Sequence, residues 1–165
     1  MLFLHIINLF SMKVDVEQRA KHARELFLAG YNCAQAVFIT YRDVASMSEE
    51  AAATVSAPFG GGMGRLREVC GAVSGMTMVA GFLSPNPIPN DNENKKKLYS
   101  TVQSLAEEFR LENGSIVCRE LLGLTQHKDD PTPSPRTGEY YKRRPCADYV
   151  EIAARIVGEK INQME

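Results

Sequence analysis

Four cysteines, Cys33, Cys70, Cys118 and Cys146, carry the side chains of this sequence best suited to chemistry. No two are close enough in sequence to form a CxxC pair, so the fold must assemble any joint chemistry. Three of them stand where a helix is expected to begin. Cys33 follows Asn32, a residue type that caps helix N-termini. Cys118 lies near the third position of a short helix capped by Ser115, and Cys146 follows Pro145, a first-turn proline. The free N–H groups and positive dipole end of a helix start favour a thiolate, the form that attacks, oxidises or binds metal. A lowered pKa is therefore expected at Cys33, Cys118 and Cys146. Cys70 differs: it is expected about a turn and a half into an apolar helix, as the buried member of a pair. The plainer reading is that each free cysteine serves as a small core hydrophobe.

The elements that must position these thiols read as helices almost throughout. Val16, Ala20, Ala23, Leu26 and Phe27 recur at three- and four-residue steps, which predicts a helix over roughly 15–29 stopped at Gly30. Asn32 opens a second helix over roughly 33–45. Ser48-Glu49-Glu50 opens a third, ending near Ala57. A fourth, apolar on most sides, is expected over roughly 65–81. A long charged helix runs from Asp91 to Asn113 and stops at Gly114. Short and long helices follow, Ile116 to Leu122 and roughly 145–162. No strand and no internal repeat is read. The expectation is an all-α, single-domain bundle of about five to seven helices. It carries a glycine-rich interhelix loop at 58–64 and a proline-rich surface loop at 128–144.

The glycines are candidate walls for the cysteine site. Gly61, Gly62 and Gly64 sit in the loop, with Arg65 and Arg67 just after it. Gly71 and Gly75 share one helix face, which suits a close helix crossing or room for a ligand beside Cys70. The loop is neither a Walker sequence nor a GxGxxG turn after a strand. His5, His22 and His127 show no ligand spacing.

At 165 residues the chain is long enough for one core without disulfide staples. Its 19 basic and 20 acidic side chains leave a net charge of −1, which gives no electrostatic argument for nucleic acid or for an anionic membrane. The apolar opening, residues 1–13, is broken by His5 and Asn8 and has no basic leader or small-residue cleavage site. It is expected to stand outside the core of a domain spanning 14–165, with Met12 a candidate start. The default compartment is then the cytoplasm, where thiols stay reduced. That favours reactive or metal-binding cysteines over structural disulfides.

Five segments, in order, resemble the C_GCAxxG_C_C family, a group of small proteins described as redox-active. They are Gly30-Tyr-Asn-Cys-Ala-Gln-Ala-Val-Phe38, Phe59-Gly-Gly-Gly-Met-Gly64, the Cys70–Gly75 block, Asn113-Gly-Ser-Ile-Val-Cys-Arg-Glu-Leu-Leu-Gly123 and Arg144-Pro-Cys146. The family name spells Gly-Cys-Ala-x-x-Gly where this chain reads Val69-Cys70-Gly71-Ala72-Val73-Ser74-Gly75, so the cysteines and the last glycine are what align. The resemblance implies redox function at Cys33, Cys70, Cys118 and Cys146. It does not choose between disulfides and a shared metal.

The leading expectation is a thiol-based redox protein, using cysteine pairs for disulfide exchange or electron transfer. Four cysteines allow three pairings; Cys33 with Cys70 is the first to test, because their flanking motifs are the most distinctive. The alternative is a metal-binding module holding Zn or an iron–sulfur cluster through the four thiolates. The expected partner is a redox protein or a small-molecule electron donor or acceptor. The apolar fourth helix suits either a central core position or the seam of a homodimer.

Overall fold

The seven expected helices all form, and their caps explain where most of them begin. A computed structural model describes residues 13–164. The apolar opening and Met12 thus lie outside the described residues, apart from Lys13. The helices are α1 (Val16–Leu28), α2 (Cys33–Thr40), α3 (Glu49–Ser56), α4 (Gly71–Leu83), α5 (Asn92–Asn113), α6 (Cys118–Leu121), α7 (Gly138–Arg143) and α8 (Cys146–Gln163). Asp15, Asn32, Ser48, Asp91 and Thr137 each accept a first-turn backbone N–H, an arrangement worth about 1 kcal/mol apiece. At Asn32 the cap is reciprocal, since the Gln35 side chain accepts the Asn32 N–H at 3.0 Å.

The core gathers on α4. Its Ala72, Val73, Met76, Val79, Ala80 and Leu83 are buried against α2, α5 and α8, while α8 also packs along α1. Phe27, Phe38, Met76, Leu105, Phe109 and Ile156 are fully enclosed, each stabilising the fold by about 1.5–3 kcal/mol through burial. Tyr41 joins them and keeps its hydroxyl satisfied by donating to the Ala154 carbonyl at 2.7 Å. Most of the apolar surface of α4 is thus covered by α2, α5 and α8 of the same chain. Gly75 belongs to this packing. A Cβ there would lie 2.8 Å from the Val37 Cβ, so the small-residue face is a close crossing of α4 on α2.

Four sequence expectations need correction. First, α4 begins at Gly71, not near 65, because Arg65 and Arg67 take φ of 68° and 59°, left-handed values that a right-handed helix cannot include. Between them and the helix, Val69 pairs with Val117 in an isolated antiparallel bridge. Secondly, that bridge delays α6 to Cys118, whose N–H donates to the Glu68 carbonyl at 2.6 Å. Thirdly, α2 stops at Thr40, and residues 41–46 form turns that deliver Tyr41 to the core. Fourthly, the proline-rich segment 128–144 is more than a surface loop, since it carries α7 and folds back over the helix starts.

Candidate functional site

Every cysteine of the chain lies at a helix start. Cys33 is the first residue of α2, Cys118 of α6 and Cys146 of α8. Cys70, expected well inside a helix, is the residue that caps α4. The backbone explains the placement. Asn32 starts α2 one residue before Cys33, and the Val69–Val117 bridge ends one residue before both Cys70 and Cys118. Pro145 caps α8, having no N–H to continue a helix backwards. All four thiols line one cavity of about 380 Å³. Among the described residues all four are free thiols; Cys70, Cys118 and Cys146 are buried and Cys33 is partly so.

Burial and pairing set their protonation, and here the expectation from helix starts is only partly met. The interaction between the neighbouring Cys33 and Cys146 thiols is the largest influence on the pKa of both. It lowers the pKa of Cys146, helped by the positive charges of Arg144, Arg136 and Arg67, against the opposing effect of burial. The same interaction, together with burial, raises Cys33 well above the ordinary thiol range. Cys70 is pushed up to about 12, chiefly by burial. Cys118 is also raised by burial, which outweighs its hydrogen bond from Arg67. A helix start alone does not make a reactive thiol where desolvation disfavours its charge. Of the three other cysteines, Cys146 acts most strongly on Cys33, ahead of Cys70 and Cys118.

The glycine turn, Gly60–Met63, presses one wall of the cavity against Cys118. Gly62 has φ +70°, and a Cβ there would stand 2.7 Å from the Cys118 Cβ. The carbonyls of Gly61 and Gly62 accept the N–H groups of Arg67 and Glu68 at 3.3 and 3.1 Å. On the other side, a Cβ on Gly71 would meet the Cys33 Cβ at 3.1 Å and the Phe59 carbonyl at 3.0 Å. Gly61, Gly62, Gly64 and Gly71 line the cavity, as expected of site walls. Gly75, expected with them, is not among the lining residues, because α2 covers it.

The arginines are the residues sequence reading undervalued. Arg67 is 2% exposed, its guanidinium held by the Asp129 carboxylate and its Nη1 3.7 Å from the Cys118 sulfur. Arg65 reaches the same returning loop, donating to the Asp130 carbonyl at 2.6 Å. Arg136 donates to the carbonyls of Phe27 and Tyr31 at 3.1 and 3.2 Å and lies over the Phe27 ring at 4.3 Å. Arg144 lies over the Tyr140 ring at 5.2 Å. The density of arginine around Pro145-Cys146 was the available signal; the contacts were invisible because they join residues up to 109 apart in sequence.

The four-thiolate metal reading can be tested on the donor set. Among the described residues no three His, Cys, Asp or Glu side chains are grouped so as to hold a metal ion. The described residues as placed do not fit Zn or an iron–sulfur cluster. Among the described residues no helix is long and apolar enough to cross a membrane.

Against known proteins, residues 31–160 match a family model described as "Putative redox-active protein (C_GCAxxG_C_C)". That span takes in all four cysteines, the glycine turn and the arginine-bearing loop. No curated protein and no solved structure matches the chain.

Proposed function

The chain belongs to the C_GCAxxG_C_C family of redox-active proteins, and from that premise we propose that it performs thiol–disulfide exchange at Cys33 and Cys146. The observation carrying this reading is that Cys33 and Cys146 stand at two helix starts on one cavity and act most strongly on one another, with Cys146 lowered and Cys33 raised. Cys146 is the attacking sulfur. It displaces one half of a substrate disulfide as a thiolate and forms a mixed disulfide with the other half. That step consumes the negative charge of Cys146. The largest influence raising Cys33 disappears with it, and its proton is released more readily. The Cys33 thiolate then attacks the Cys146 sulfur, expels the second half of the substrate and closes a Cys33–Cys146 disulfide. The net reaction moves two electrons from the protein dithiol to the substrate disulfide, and a dithiol reductant restores the pair. In this reading Cys70 and Cys118 remain protonated walls of the cavity.

Trapping tests the assignment. Cys33→Ala is expected to accumulate the mixed disulfide on Cys146 when treated with a small disulfide, seen as an adduct by intact-mass and peptide mapping. The native protein is expected to pass through that adduct to an internal Cys33–Cys146 disulfide. An adduct or internal disulfide that forms only on Cys70 and Cys118 would overturn the assignment.

A further inference from the structure

Resting on the exchange reading above, we infer that the substrate is a small disulfide bearing carboxylate groups, taken whole into the cavity. Four arginines, Arg65, Arg67, Arg136 and Arg144, line this space, and no aspartate or glutamate does. Two of them are already matched, since Arg65 and Arg67 both pair with Asp129. The other two are not. Arg136 is held by neutral backbone carbonyls and aromatic rings, and Arg144 by the Tyr140 ring; neither pairs with a carboxylate among the described residues. Two positive charges are therefore left at the wall of a partly enclosed space, where field lines concentrate and attract anions. Both also act on Cys146, the sulfur that meets the substrate.

Size argues for a small molecule over a protein disulfide. The cavity, about 380 Å³, lies at the lower end of small-ligand sites. Cys146 is 8% exposed, and Pro131 and Pro133 of the returning loop line the same cavity, an arrangement that suits a small disulfide better than one on the surface of a folded partner. The phenyl and pyrrolidine groups of Phe27 and these prolines offer apolar surface to the methylenes between a carboxylate and its sulfur.

Three symmetric disulfides of matched size differ in charge: 3,3′-dithiodipropionate (dianion), bis(2-hydroxyethyl) disulfide (neutral) and cystamine (dication); because their leaving thiols also differ in pKa, each rate is divided by that reagent's rate with free N-acetylcysteine. Reduced, full-length protein is mixed with each at low ionic strength, and the rate of internal disulfide formation is followed by quenched mass analysis. The expected order is dianion over neutral over dication, by roughly ten-fold or more between the extremes. Added salt should erode the dianion's advantage while the neutral reagent barely responds. Arg144→Gln should reduce the dianion-to-neutral rate ratio several-fold, and Arg144→Lys should restore it. The ratio is the readout because any change in Cys146 itself affects both reagents. The salt series on native protein stands even if the variants fold poorly. Equal rates for the three reagents, or a preference for cystamine, would overturn the carboxylate assignment and leave thiol exchange standing. No reaction with any of them would overturn the exchange reading, and the substrate class with it.

Discussion

The proposed division of labour between Cys146 and Cys33 has a pH dependence of definite sign. Since the interaction with Cys33 lowers Cys146, alkylation of Cys146 by iodoacetamide should rise with pH to half its maximum below the ordinary thiol range. Cys33→Ala removes the main cause, so that midpoint should move upward; an unchanged midpoint would refute the pairing. Cys70 makes the opposite prediction for stability. Its native pKa, about 12, lies above the value of 9.0 ordinary for a thiol. The unfolded chain therefore loses this proton first as pH rises. The stabilisation is intact below about pH 9 and is lost progressively towards pH 12, on the order of 4 kcal/mol at the limit. Thermal melting across that window should fall less steeply in Cys70→Ala than in native protein.

At the scale of elements, the glycine turn and the Val69–Val117 bridge put the cysteines where they are. Gly62→Ala is expected to cost about 1–3 kcal/mol, since it forces a side chain into a left-handed backbone and against Cys118. Melting would register the loss, and accessible-thiol titration should show Cys118 exposed; a variant with native melting and thiol count would refute the wall. The helices themselves were largely legible. Apolar spacing located α1, α5 and α8, and Asn32 and Ser48 marked two starts, because caps and periodicity are local signals. The start of α4 was not legible. Val69 through Ala80 reads as helix by composition, but left-handed residues at 65 and 67 and a bridge to a segment 48 residues later decide where it begins. Such a bridge depends on a distant partner and leaves no periodic trace.

The whole molecule adds the returning loop, whose ionic fastening is Asp129, with Arg136 holding it a second time through the Phe27 and Tyr31 carbonyls. Asp129 accepts from both Arg65 and Arg67, and its carboxyl is lowered by hydrogen bonds from Gln126 and Arg67. Replacing it should leave the nearly buried Arg67 charge without a partner, at a cost of roughly 3 kcal/mol. Asp129→Asn should therefore lower the melting temperature by several degrees and speed proteolysis within residues 128–137. Native cleavage rates in that variant would show that the loop is fastened elsewhere. The same loop brings Arg136 and Arg144 to the cavity, so the fastening also sets its charge.

The sequence by itself determined the helical class, the caps and the identity of the four cysteines, because each is encoded within a few neighbouring residues. It also carried the family resemblance, written in the cysteine segments. Only the tertiary structure decided that all four thiols stand at helix starts around one cavity and that their pKa values diverge, with Cys146 lowered and the other three raised. Those outcomes depend on desolvation and on charges contributed by residues far apart in the chain, and neither exists until the chain has folded.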